Sequence, residues 1–402
     1  MPAYYRSSIT GRIKEVRRKR DLRKQDFTPT LLDFGPVQFY VARHFGFCYG
    51  VENAIEISYR ALEENTGRRV YLLSQMIHNQ EVNKDLESRG IKFIMDTDGT
   101  QFVPWDELFA DDVVIIPAFG TTVEIEELLR SKAIAVEKYN TTCPFVEKVW
   151  NRSEKLAEGK FTTIIHGKPR HEETRATFSH SAQRGHAIVV RDLREAELLG
   201  AFMRGERSES DVLRDFDGRF TDGFRPSENL VCVGVVNQTT MLASETQTIA
   251  TYFREIMLAK YGPQNIATHF ADTRDTLCYA TNDNQDSTYE LLNTGADLAI
   301  VVGGYNSSNT SHIVELCERK FPTYFINSAT EILSRTSIRH FDYANKETRI
   351  TTNFLPSKDT VKIVLTSGAS CPDTIVDAVM LKLVGFFEGA KSLDDALEDI
   401  GM

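Results

Sequence analysis

Six cysteines are scattered through the 402-residue chain, and three of them close the same local pattern. Phe39–Val41 runs into His44-Phe45-Gly46-Phe47-Cys48, and Ala135–Lys138 runs into Asn140-Thr141-Thr142-Cys143. His269–Ala271 likewise runs into Asp275-Thr276-Leu277-Cys278. Each time an extended stretch ends, a turn follows, and a cysteine precedes a helical pattern. A thiol there faces unpaired backbone N–H groups and the positive end of the helix dipole, which favours the thiolate. Thiolates hold iron–sulfur clusters, and three of them on a four-iron cluster leave one iron open to substrate. Spacing alone keeps two other readings alive: cysteines are often buried small hydrophobes, and thiolates also hold zinc, although no C-x-x-C pair is present. Cys232, within Val231–Val236, and Cys317, beside Ile313-Val314-Glu315-Leu316, read as core. Cys371, next to a Ser-rich turn, fits either reading.

Three other apolar runs end in small polar residues. They lead into His166-Gly167-Lys168-Pro169-Arg170-His171-Glu172-Glu173, Gly303-Gly304-Tyr305-Asn306-Ser307-Ser308-Asn309 and Thr366-Ser367-Gly368-Ala369-Ser370. A strand, a polar turn and a helix present N–H groups and hydroxyls to phosphate. Helix capping uses the same residue types. Three such turns in one chain point to a polyanionic ligand. His171 can donate a hydrogen bond to a diphosphate in either protonation state. Glu173, two residues on, can deliver a proton if burial raises its pKa, or can simply favour the first turn of a helix. His78, after an apolar stretch, reads as structural on spacing alone. Thr239, in Gln238-Thr239-Thr240 after Val231–Val236, can orient a substrate group or cap a helix.

These residues need elements to hold them. Continuous apolar runs at Val37–Ala42, Val113–Ile116, Thr162–Ile165, Ala187–Val190, Val231–Val236, Leu298–Val302 and Lys362–Leu365 read as strands covered on both faces. Helical patterns follow most of them, so the class is α/β with parallel sheets. The cysteine intervals suggest three α/β units, each contributing one thiol. The expected boundaries are a basic arm over 1–36, a strand over 37–48 joining the third domain, and domains over 49–142, 143–268 and 269–387. Two polar insertions, 191–229 and 328–360, carry little core material, and 388–402 is a peripheral acidic tail. The basic run Arg17-Arg18-Lys19-Arg20 reads as a solvated arm or a short surface helix. It has no apolar segment behind it, as a secretory signal would require, and neighbouring acids make an organelle transit peptide the weaker reading. A net charge of −10 argues against a nucleic-acid binder. No apolar run is long enough for a membrane helix, and dispersed cysteines suit a cytoplasmic setting.

Taken in order, the motifs resemble those of the 4-hydroxy-3-methylbut-2-enyl diphosphate reductases, the LytB-type family, in its longer cyanobacterial and plant form. The matching stretches are Gly46-Phe47-Cys48-Tyr49-Gly50-Val51, Ile77-His78-Asn79, Thr141-Thr142-Cys143-Pro144, His171-x-Glu173, Gln238-Thr239-Thr240, Thr276-Leu277-Cys278-Tyr279, Asn306-Ser307-Ser308-Asn309 and Ser367-Gly368-Ala369-Ser370. The resemblance implies a trefoil of three pseudo-threefold-related α/β domains around one [4Fe–4S] cluster held by Cys48, Cys143 and Cys278. It implies an allylic diphosphate bound by His78, His171, Ser307, Ser308, Asn309 and Ser370. Glu173 would deliver protons, and Thr239 would position the substrate hydroxyl with it. Electrons would come from a ferredoxin- or flavodoxin-like donor, since no G-x-G-x-x-G turn for a dinucleotide appears. Two departures stand out. Phe119 occupies a turn, Pro117-Ala118-Phe119-Gly120, where the compact bacterial form has a histidine, and Glu172 replaces a proline. The rival expectations are another trefoil iron–sulfur enzyme acting on a different anion, and a non-catalytic redox sensor.

Overall fold

The computed structural model describes residues 5, 7–23, 25–273, 276 and 278–398. The chain divides into two compact units, one of residues 1–52, 78–82 and 279–402, the other of 53–77 and 83–278.

The first unit is built on a five-stranded sheet in the order Thr30–Asp33, Val37–Val41, Val361–Ser367, Leu298–Val302, Thr323–Ile326. The first pair is antiparallel and the rest are parallel. The central strands are buried almost throughout, which explains their unbroken apolar sequence. Register aligns their carboxyl ends: Val302 pairs with Ser367, and Leu365 with Val41. The turns 303–307 and 368–372 and the loop 42–48 therefore leave from one edge of the sheet, where open α/β sheets bind ligands.

The second unit holds two parallel sheets. One runs Lys92–Phe93, Val70–Leu72, Val113–Ile115; the other runs Ala187–Val190, Thr162–His166, Val233–Asn237, Phe270–Ala271. His166 pairs with Asn237, so the turns that carry His171 and Thr239 also start level.

Several local expectations need correction. Ala135–Lys138 is not a strand; only a single bridge, Ile116 to Asn140, forms there. Cys232 lies just before its strand, which begins at Val233. The insertion 191–229 is not core-poor. It forms the helices Leu193–Met203, Glu209–Asp215 and Pro226–Asn229, and it buries Ala196, Leu199, Met203, Val212, Phe216 and Phe224. The insertion 328–360 folds into an antiparallel three-stranded sheet and buries Ile332, Ile338 and Phe354. Of the two readings of the basic run the short helix holds, Thr10–Arg20, and it is more than a surface element, since Ile13, with Ile9 before it, joins the core of the first unit. The tail contributes Ala396 and Leu397 to the same core. Asp275 and Leu277, in the turn before Cys278, lie outside the described residues. Among the described residues no helix is long and apolar enough to cross a membrane.

Candidate active site

In the first unit the two polar turns interlock around His78. Ser307 caps the helix Ser308–Glu318, its Oγ accepting from Thr310 N at 3.2 Å and from Thr310 Oγ1 at 3.0 Å. Ser370 Oγ lies 3.4 Å from both Ser307 Oγ and the His78 carbonyl oxygen. Asn306 Nδ2 donates to His78 Nδ1 at 3.3 Å, which leaves the neutral ring its proton on Nε2. Gly304 is required by close approach, because a Cβ there would sit 2.1 Å from the His78 carbonyl oxygen. Asn309 is 3% exposed, yet among the described residues neither its Oδ1 nor its Nδ2 has a hydrogen-bond partner. A buried amide with no partner costs about 1–3 kcal/mol, so its presence at this strand-end turn points to a ligand that supplies the missing bonds. Ser308, the first residue of that helix, is equally buried.

In the second unit the carboxyl ends of Thr162–His166 and Val233–Asn237 hold an acid. The helix Glu172–Ala182 is capped by His171, whose Nδ1 accepts from Glu173 N at 3.2 Å. The neutral His171 ring thus carries its proton on Nε2, as a donor. Glu173 is fully buried; Thr239 N donates to its Oε1 at 2.5 Å and Thr239 Oγ1 to its Oε2 at 3.0 Å. Burial outweighs those two donors and pushes the Glu173 carboxyl up to about 7. Gln238 braces the pair of turns: its Oε1 accepts from Lys168 N and Thr174 Oγ1, both at 3.1 Å. Phe119 meets the His171 ring edge-on, with centroids 5.5 Å apart. Glu172 is also buried and raised to about 8 by burial; it accepts from Ser74 Oγ, and its second oxygen has no hydrogen-bond partner among the described residues.

None of the six cysteines is in a disulfide. Cys48 and Cys143 supply the carbonyls that begin helices, accepting from Glu52 N at 3.0 Å and Glu147 N at 3.2 Å, and Cys278 immediately precedes the helix Tyr279–Leu292. The other three are poor thiolates. Burial raises Cys232, pushes Cys317 up to about 12, and raises Cys371 further, with Asp373 adding to the effect. Cys317 and Cys371 are fully buried in the core of the first unit, which bears out the core reading of the first and gives the second the same reading, whereas Cys232 is only partly buried and stands before its strand. Cys48 falls in the first unit and Cys143 and Cys278 in the second. Among the described residues no three His, Cys, Asp or Glu side chains form a group that could hold a metal ion.

The structure thus brings His78, Ser307 and Ser370 together in one unit and His171, Glu173 and Thr239 in the other. Sequence reasoning left out Asn306 and Gln238 as parts of the machinery. Both stand inside quoted motifs, and only geometry reveals that their amides set one histidine tautomer and lock one acid-bearing turn.

Level strand ends, interlocked polar turns in one unit and a buried, protonatable glutamate in the other are features of an α/β enzyme. The model of the LytB protein family matches residues 39–384. A 4-hydroxy-3-methylbut-2-enyl diphosphate reductase of Gloeobacter violaceus is 38% identical over 352 residues, covering 87% of this chain and 83% of its own. The enzyme of the same name from a Synechococcus strain is 37% identical over 385 residues, covering 96% and 91%. The solved Plasmodium falciparum E-1-hydroxy-2-methyl-but-2-enyl-4-diphosphate reductase superposes with a TM-score of 0.62 at 21% identity, over 90% of this chain and 97% of that one. The chain belongs to the LytB family. The structural likeness bears out the expected trefoil α/β fold class, and these two relatives are cyanobacterial, as the motif pattern implied.

Proposed function

We propose that this chain is the reductase that converts (E)-4-hydroxy-3-methylbut-2-enyl diphosphate to isopentenyl and dimethylallyl diphosphates, by reductive loss of the allylic hydroxyl. The observation that carries the reading is Glu173: a fully buried carboxyl, held by both donors of Thr239 and protonated up to neutral pH. The departing hydroxyl needs such an acid at such a place.

Cys48, Cys143 and Cys278 fit a cluster by their chemistry, since each would offer a thiolate at the start of a helix. Held by these three thiolates, a [4Fe–4S] cluster would relay electrons and offer one iron without a protein ligand as a Lewis acid. Everything else falls to the side chains. Ser307, Ser308, Asn309 and Ser370 bind the diphosphate, and His78 and His171 donate to it through Nε2. That remote binding energy orients the allylic end. Thr239 fixes the carboxyl of Glu173 and positions the substrate hydroxyl; Glu173 Oε1 or Oε2 gives the departing hydroxyl its proton, so that it leaves as water, and two electrons with a second proton taken up at either end of the allylic unit complete the two products. Edge-on contact with His171 makes Phe119 a wall of the site, in place of a further donor. A ferredoxin- or flavodoxin-like protein supplies the electrons, and the setting is cytoplasmic.

The test is anaerobic purification with a verified cluster, followed by turnover of the allylic diphosphate with a reduced low-potential donor. Formation of both C5 diphosphates supports the reading. Intact cluster without product defeats it.

A further inference from the structure

The loop that carries Cys48 is tied down on every side, and one of its ties comes from outside the family's matched region. Gly46 N donates to Ser367 Oγ at 3.1 Å, and Cys48 N donates to the Ala369 carbonyl oxygen at 3.3 Å. Two bonds thus join the cysteine loop to the strand-end turn that also bears Ser370. On the opposite flank lies the helix Thr10–Arg20. Its start is clamped by Asp377, whose carboxylate accepts from Ser7 Oγ at 2.6 Å and from Ile9 N and Thr10 N at 3.1 Å. One turn further on, Lys14 Nζ reaches both carboxylate oxygens of Asp373, at 2.8 and 2.7 Å. The same ammonium lies 4.5 Å from the centre of the Phe45 ring. Asp373 opens the helix that follows the Ser370 turn.

Gly46 is where these pieces converge. Its φ is +75°, and a Cβ there would fall 1.9 Å from Asp373 Oδ1 and 2.9 Å from Lys14 Nζ. The ion pair therefore presses directly on the cysteine loop, in a place only glycine leaves open. Tyr5 adds a ring contact to Phe47, with centroids 5.7 Å apart. Lys14 and Cys48 line one cavity of about 320 Å³.

We propose that Lys14 is a positioning residue, and that the helix Thr10–Arg20 acts as a strap. Through the Lys14–Asp373 pair it clips the Cys48 loop to the Ser370 turn, so that a thiolate ligand and an anion-binding hydroxyl are held in fixed relation. The role of Cys48 and Ser370 here rests on the proposed reductase function; the mechanical coupling does not. Metal ligands depend on the groups that orient them, and loss of such support costs about 10–100-fold in metal affinity.

The test begins without the cluster. Amide hydrogen exchange is measured on the apo protein for K14M, for K14M/D373N, which leaves no unpaired carboxylate behind, and for R12A. Arg12 lies on the same helix but pairs with the exposed Asp394, so R12A is the control. In both Lys14 variants the Gly46 and Cys48 amides should exchange about 10-fold faster, while core strand amides such as Ile300 keep their rates. R12A should move none of them. Wild-type exchange at Gly46 and Cys48 in K14M/D373N overturns the proposal, and so does an equal acceleration of all amides, which would mean general destabilisation. After cluster loading, K14M should lose iron to a chelator about 10-fold faster than wild type, with partial recovery in K14R. Equal loss rates overturn the link to the thiolate. If the wild-type chain takes up no cluster at all, the reductase reading fails while the exchange result still decides the strap.

Discussion

Replacing Glu173 by glutamine separates its proton from its shape. The amide fits the same space, and Thr239 N still donates to the remaining carbonyl oxygen. What disappears is an ionisable group whose folded pKa is about 7, against an ordinary value of 4.5. A raised carboxyl means that the folded state binds the proton more tightly than the unfolded state. Stability from this group is therefore fully present below pH 4.5, declines between 4.5 and 7, and is lost above 7. At about 1.4 kcal/mol per pH unit, the penalty at pH 8 is about 3 kcal/mol. E173Q never carries it. Denaturant titrations at pH 4.5 and pH 8 should show the variant gaining about 3 kcal/mol on wild type between the two. Turnover with a reduced viologen should meanwhile fall by about 10²–10⁴-fold. The wild-type rate should also fall as pH rises past 7, a limb that E173Q lacks. Turnover within about threefold of wild type, or an unchanged stability difference between the two pH values, would refute the assignment of a buried acid.

Three further outcomes follow from the same geometry. Serine at Cys48, Cys143 or Cys278 should abolish or degrade the cluster while serine at Cys317 should not, as read by iron content and the visible spectrum of anaerobically reconstituted protein. N309A should weaken diphosphate binding by about 10–100-fold, the worth of a hydrogen bond to a charged group, yet leave the melting temperature at or above wild type, because the Asn309 side chain makes no hydrogen bond among the described residues. G304A drives a methyl group into the His78 carbonyl, so it should destabilise the protein by about 1–3 kcal/mol in denaturant titration and raise KM together with it.

The strands that could be read from sequence are those buried on both faces. Leu298–Val302 and Ala187–Val190 have the expected bounds, and the other runs shift by one or two residues. The strand Thr30–Asp33 escaped notice because only Thr30 and Leu32 turn inward, on a four-residue edge strand. Ala135–Lys138 misled for the opposite reason. Val136 is buried, but the preceding helix ends in a turn with Ala133 at φ 59°, and the segment reaches the core without a strand partner. The insertion 191–229 looked polar because composition averages over a helix: Ala196, Leu199 and Met203 recur at three- and four-residue intervals among charged neighbours, and all face the core. At the site, residue types and order were legible. The identity of each histidine's proton-bearing nitrogen was not, because it depends on Asn306 and on a backbone amide from the next turn.

That last detail constrains how the acid is supplied. His171 is bound at Nδ1 by the N–H of Glu173, so the ring cannot take a second proton there without releasing the helix end on which Glu173 sits. It can hand a hydrogen bond to an anion, but it cannot store a proton for the reaction. The two neighbours are thus tied together: the ring nitrogen of one holds the N–H of the other, whose carboxyl burial pushes up. Any change that draws the His171 ring away from that N–H therefore also disturbs the mounting of the Glu173 carboxyl.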